Sequence, residues 1–151
     1  MKKYLPVIFF AVLTVLILSF IFGMSLQSRE ESGNASSGIV AFLKPIFDPN
    51  NRIPQDKFHH AVRKLAHFTE FCALGICVLG LTRSVGKLKG ERYFVLPVFC
   101  VLLSAVADEF IQYFSGRGSM VTDVVLDFCG GLSGIAIAAF VCWMIGICRR
   151  P

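Results

Sequence analysis

The sequence has few charged residues for its length and lacks the polar–apolar alternation of a soluble domain. Of its 151 residues, 17% are charged and 55% are apolar, and the mean hydropathy is +0.68. The apolar residues lie in long blocks without helical or strand periodicity. Such blocks are predicted to meet lipid instead of closing around one water-excluding core.

The spacings that indicate a disulfide framework or a metal site are also missing. The six cysteines form no CxxC pair and lie within apolar blocks, where cysteine acts as a small hydrophobic residue. Neither an HExxH spacing nor a GxSxG elbow occurs. His67, Glu70, Asp108 and Asp127 would supply ligands suited to zinc or manganese, but no spacing supports that use. We therefore expect no metal and no cofactor.

Four of the apolar blocks are long enough to cross roughly 30 Å of bilayer hydrocarbon as helices. They cover about residues 4–22, 65–82, 93–114 and 124–147. The first follows Lys2 and Lys3, as in a secretory signal peptide, but its core is too long and no small-x-small cleavage site follows it. We therefore predict an all-α membrane protein of four helices, with residues 1–151 forming one domain.

The basic residues flank these blocks instead of lining one face, so the net charge of +5 indicates a topology signal and not nucleic-acid binding. One side of the membrane would hold both termini and the second loop, with eight Lys and Arg and one acid; the other side would hold seven cations and nine acids. By the positive-inside rule, both termini are predicted to be cytoplasmic. In the outer segment we expect a loose stretch at residues 28–38 and a short interfacial helix at residues 39–47.

Ionisable residues occur at the outer ends of the predicted helices, where they cost free energy and are therefore candidates for function. Arg63, His67 and Glu70 recur at i, i+4 and i+7, on one face of a helix. Asp108 and Gln112 share a face of the third helix. Because the topology brings these ends together, we expect one assembled site. Its candidate binding residues are Arg63, Lys64, His67, Glu70, Asp108, Glu109, Gln112, Arg117, Asp123 and Asp127.

Structural roles stay open for several of these residues. Lys64 would anchor its helix among the headgroups, and Asp123 would cap the fourth helix. Arg117, in a glycine-rich turn, would either hold an anionic group or contact a headgroup. The charged residues as a set would form salt bridges that hold the helices together. The GxxxG spacing of Gly130 and Gly134 predicts close helix packing.

The polar blocks, taken in order, resemble the VanZ-like family. The matching residues are Ser25-Leu26-Gln27-Ser28, Arg63-Lys64-x-Ala66-His67-Phe68-x-Glu70-Phe71-x-x-Leu74-Gly75, Asp108-Glu109-x-x-Gln112-x-Phe114-x-Gly116-Arg117, and Asp123-x-x-x-Asp127-x-x-Gly130 with Gly134. Two positions depart from that pattern: Phe71 stands where the family commonly has Tyr, and Asp127 where Asn is common. The resemblance implies a small four-helix protein of a bacterial cell membrane, and the family's named member is associated with resistance to teicoplanin, an acylated glycopeptide.

Three hypotheses for function follow. The first is a cell-envelope factor whose outer-leaflet site binds a membrane lipid headgroup, a lipid-linked wall precursor or a lipoglycopeptide. The second is a membrane enzyme acting on such a lipid, with His67, Glu70, Asp108 and Glu109 as candidate catalytic residues. In the third, the ionic groups only hold the bundle together. We favour the first and lean away from an enzyme; the sequence carries no signal for an oligomeric state.

Overall fold

The computed structural model describes residues 2–27, 29–116 and 120–148. Over these residues the chain is helical, with connecting turns and no strand. The helices are α1 Leu5–Ser25, α2 Arg29–Phe47, α3 Gln55–Lys89, α4 Val95–Phe114 and α5 Val121–Cys148. The predicted all-α class is confirmed.

Four of these helices are long and apolar enough to cross a membrane: α1, α3, α4 and residues Val121–Gly146 of α5. At 1.5 Å per residue, the 20 residues of α4 cover about 30 Å, the thickness of the hydrocarbon layer. The 35 residues of α3 extend well beyond that thickness. Pro54 precedes the first turn of α3, and Gly90, at φ 75°, ends the helix in the left-handed conformation that glycine adopts without strain.

Helix α2 differs from the prediction, because residues 29–38 are helical and not a loose stretch. A helix pairs its own backbone groups, which favours it over an open loop for a segment beside a bilayer. The second part of α2, Ser36–Phe47, is apolar but too short to span. Its exposed Ile39, Phe42 and Ile46 recur at i, i+3 and i+7, on one side of the helix. This arrangement suits a helix lying in the interface, as expected for residues 39–47.

Helix α3 lies at the centre of the bundle and packs against each of the other helices. Its closest neighbour is α5, because glycines remove side chains from the contact. Gly130 and Gly134 of α5 lie against the α3 backbone at Phe68 and Cys72, and Gly75 of α3 meets the backbone of α5 at Gly131. A Cβ at any of these positions would overlap main-chain atoms of the facing helix.

The core between the helices is small and apolar. Its fully buried side chains are Ile21, Phe71, Leu74, Val101 and Ala105. The outward faces of α1 and α5 instead expose large apolar residues, which fits contact with lipid tails. The core ends where α1 and α4 finish and α5 begins, and the polar residues gather there.

Candidate functional site

Asp108 is the centre of this polar region, and its side chain is fully buried. The Ser25 hydroxyl, at the end of α1, donates a hydrogen bond of 2.6 Å to Oδ1 of Asp108. The Gln112 amide, one turn later on α4, donates one of 2.7 Å to Oδ2. Hydrogen bonds to a carboxylate are among the stronger ones in proteins, so they fix the orientation of this group. Asp108 thereby ties α1 to α4.

His67 of α3 faces this carboxylate. Its Nδ1 lies 3.9 Å from Oδ2 of Asp108 and 3.8 Å from Oε2 of Glu70. The side chains of His67 and Glu70 are 16% and 19% exposed, so the region opens to its surroundings on the α3 side. Asp127 of α5 completes the group: one donor atom each from His67, Asp108 and Asp127 lies within 4.8 Å of the other two.

We call Ser25, His67, Glu70, Asp108, Gln112 and Asp127 the Asp108 cluster. All four membrane helices contribute to it, and each contributes from the same end of the bundle. The convergence follows from chain direction, because α1 and α4 end there while α3 and α5 enter from there. The cluster is therefore one group of mostly buried polar side chains that four helices bring together, and not a set of separate surface charges.

Lys64 and Asp123 form an ion pair beside the cluster. Nζ of Lys64 lies 2.7 Å from Oδ1 of Asp123 and joins α3 to α5, with side chains 34% and 23% exposed. The expectation that Asp123 caps the fourth helix is wrong. The helix begins at Val121, so Asp123 lies in its first turn, where its charge favours the positive end of the helix dipole. Lys64 therefore contacts a carboxylate, and its anchoring among headgroups stays a prediction.

Glu109 has a positioning role at the start of α5. Its side chain is buried, and Oε2 accepts a 3.0 Å hydrogen bond from the backbone N–H of Met120. A carboxylate at a helix N-terminus satisfies an orphan donor and complements the dipole. The two adjacent acids of α4 therefore have different partners: Asp108 accepts hydrogen bonds from Ser25 and Gln112, and Glu109 accepts one from the backbone just before α5.

The remaining predicted residues are two arginines and the two glycines of the GxxxG spacing. Arg63 is half-buried one turn before His67 on α3, and it makes no hydrogen bond or ion pair with the residues the structure describes. Arg117 lies outside the described residues. Gly130 and Gly134 lie at the α3–α5 contact and not among the polar groups.

Sequence reasoning did not include Ser25 among the site residues. The serine is fully buried, and a second serine, Ser115, donates a 2.8 Å hydrogen bond to its carbonyl oxygen. The sequence signal that could have identified Ser25 is that it is a polar residue in the last turn of an otherwise apolar helix, within the stretch Ser25-Leu26-Gln27-Ser28. Its partner Asp108 lies 83 residues away, so no local spacing could show the pairing.

Comparison with protein-family models gives a match to the VanZ/LLP1 model over residues 10–143, which is most of the chain. The chain belongs to the VanZ/LLP1 family. Comparisons with curated proteins and with solved structures gave no significant match.

Its two departures from the VanZ-like pattern fall in different environments. Phe71 is fully buried in the apolar core one turn after His67, so a tyrosine there would need a partner for its hydroxyl. Asp127 is 1% exposed and lies in the Asp108 cluster, where it places a second buried carboxylate beside that of Asp108.

Proposed function

We propose that this VanZ/LLP1 protein is a cell-envelope factor that binds the polar head of an outer-leaflet lipid or lipid-linked molecule at the Asp108 cluster. The observation that carries the proposal is that all four membrane helices bring polar groups to one end of the bundle, where His67 and Glu70 are partly exposed. Charged and polar groups within membrane-spanning helices commonly belong to binding or transport sites.

The orientation is part of the proposal. The distribution of Lys and Arg supports cytoplasmic termini in a bacterial membrane, which would put the Asp108 cluster in the outer leaflet. Lipid-linked wall precursors and acylated glycopeptides both reach that leaflet. The family name, which is linked to teicoplanin resistance, supports this choice of ligand class.

The balance of charge suggests which part of a headgroup each residue would meet. Glu70, whose side chain is partly exposed, would supply acceptors for hydroxyl or amine groups of the head, with the buried carboxylates of Asp108 and Asp127 behind it. Arg63, which has no ion-pair partner among the described residues, would bind an anionic group such as a phosphate at the more exposed edge. A head that combines a phosphate with amines or hydroxyls fits this arrangement.

The test is drug susceptibility of a glycopeptide-sensitive Gram-positive host that expresses the protein. Wild type, His67→Ala, Asp108→Asn and the control His60→Ala, an exposed histidine on α3, are compared at matched membrane abundance. The proposal predicts that wild type and His60→Ala protect against teicoplanin more than against vancomycin, while the two site variants do not. Equal susceptibility of all four strains and the empty vector contradicts the resistance role.

A second candidate, an enzyme that modifies a lipid at the outer face, is favoured by the placement of His67 beside Asp108. A carboxylate that faces an imidazole can orient it as a general base. If this is the function, lipid or precursor profiles of a deletion strain change when the wild-type gene is restored and do not change with His67→Ala. Identical profiles in both complemented strains exclude this candidate.

A further inference from the structure

Two buried carboxylates lie side by side in the Asp108 cluster with little to balance their charge. The side chains of Asp108 and Asp127 are 0% and 1% exposed. No lysine or arginine among the described residues forms an ion pair with either, and Lys64 of α3 is paired with Asp123. A carboxylate oxygen of each lies within 4.8 Å of the other, and buried like charges this close repel each other unless a proton or a cation lies between them.

One carboxylate oxygen of this pair has no hydrogen-bond partner. Oδ1 of Asp127 is buried and accepts no hydrogen bond from the residues the structure describes. A buried acceptor without a partner costs free energy, so native structures rarely leave one unexplained. A carboxylate oxygen of Asp127 also lies within 4.8 Å of a ring nitrogen of His67 and of an oxygen of Asp108, so the Asp127 side chain faces the same small volume as these two groups.

We propose that His67, Asp108 and Asp127 bind a divalent first-row metal ion, with manganese and zinc as the matching ions. One imidazole and two carboxylates form a donor set that both ions accept. Metal–ligand bonds of about 2.0–2.2 Å bring neighbouring donor atoms to roughly 3–3.5 Å. The three donors lie within 4.8 Å of one another, so small side-chain rotations close the site.

The neighbouring hydrogen bonds support this role. Ser25 and Gln112 donate to the two oxygens of Asp108 and leave further lone pairs on each for a metal. Such outer contacts orient metal ligands in known sites. The ligands come from α3, α4 and α5, which explains why no linear spacing predicted a metal. An ion with three protein ligands keeps an open position for water or an anionic oxygen, but its binding does not depend on the lipid proposal.

The test is Mn²⁺ binding by the full chain purified in detergent and stripped with a chelator, with free Mn²⁺ followed by electron paramagnetic resonance. Manganese is the better probe because the thiols and the His59–His60 pair favour softer ions. We expect saturation near one ion per chain in wild type and at least tenfold weaker binding in Asp127→Asn. Asp56→Asn, which removes an exposed carboxylate of α3, should bind as wild type does.

Wild-type protein that takes up no Mn²⁺ near one per chain overturns the proposal without any variant. Equal binding by wild type and Asp127→Asn also overturns it, because the ion then lies elsewhere. If Asp127→Asn does not fold, His67→Gln replaces it, since that side chain is partly exposed and its loss should equally weaken binding. If the protein binds Mn²⁺ but its expression leaves the drug susceptibility of the host unchanged, the metal site is supported and the resistance role is contradicted. The two proposals therefore fail separately.

Discussion

The candidate site contains ionisable residues and a serine, and only the ionisable residues can be recognised from the sequence. His67, Asp108 and Asp127 are ionisable groups inside apolar blocks, so the cost of placing them there marks them at once. Ser25 carries no such mark, because a hydroxyl in a membrane helix often bonds its own backbone, as Thr14 does with the carbonyl of Phe10. The charged half of the site was therefore predictable, and the residue that orients Asp108 was not.

The Ser25–Asp108 hydrogen bond gives the first prediction. Ser25→Ala leaves Oδ1 of Asp108 without its donor in a fully buried position, so we expect the free energy of unfolding to fall by about 1–3 kcal/mol. The measurement is unfolding of the purified protein in detergent. Ser133→Ala is the matched control, because that exposed hydroxyl bonds only its own helix and should change stability little. Equal effects of both substitutions would show that the Ser25 hydroxyl contributes nothing beyond its helix.

The sequence also does not show which carboxylate Lys64 contacts. Lys64 is expected to anchor the helix among headgroups, and the structure shows that it also reaches Asp123 across the α3–α5 contact. Both behaviours need only a long cationic side chain near a helix end, so local sequence does not separate them. The register between α3 and α5, which the glycine contacts set, decides which carboxylate lies within reach.

The Lys64–Asp123 pair gives the second prediction. Lys64→Asp or Asp123→Lys alone places like charges together and should lower stability by about 1 kcal/mol or less, because the pair is partly exposed. The exchanged double variant should recover most of that loss. Thermal unfolding of the four proteins forms a double-mutant cycle. A double variant with the summed loss of both singles would mean that the two side chains do not interact.

At the scale of whole helices, apolar length was a sufficient guide to the four long elements. Each carries an apolar block long enough to cross a hydrocarbon layer of about 30 Å as a helix. Helix α2 was harder, because the composition of residues 28–38 suits a loop as well as a helix. Its packing against α3 is tertiary information that composition does not contain.

The α3–α5 contact gives the third prediction. Gly134→Ala places a Cβ against the backbone of Cys72, which cannot move without displacing α3, so we expect a loss of about 1–3 kcal/mol and less folded protein in the membrane. Gly146→Ala on the same helix meets nothing within 4 Å and is the control. Folded yield can be followed by size-exclusion chromatography of the detergent extract. An unchanged profile for Gly134→Ala would contradict the close approach.

At the scale of the whole molecule, the order of the helices produces the site. Since the chain crosses back and forth, acidic residues far apart in sequence meet at one end of the bundle, whereas the other end holds eight Lys and Arg and one acid. The approximate position of the site could be predicted from this alternation. The contacts within it could not, because they depend on helix rotation and on the interhelical distance that the glycines permit.

Topology gives the fourth prediction. In a cysteine-free background, a cysteine at Asn50, between α2 and α3, should react with a membrane-impermeant thiol reagent in intact cells. A cysteine at Lys89, the last residue of α3, should react only after permeabilisation. This follows from the excess of Lys and Arg predicted on the cytoplasmic side. The opposite labelling pattern would place the Asp108 cluster in the inner leaflet and exclude an outer-leaflet ligand.

Lipid binding at the Asp108 cluster can be tested by identifying the lipids that co-purify with the protein. Wild type, Asp108→Asn and the control Asp56→Asn are extracted in mild detergent and their bound lipids are quantified by mass spectrometry. We expect that one class with a phosphate and hydroxyl or amine groups in its head is enriched on wild type and Asp56→Asn and is lost from folded Asp108→Asn. Identical lipid profiles on all three folded proteins would contradict a binding role for the Asp108 cluster.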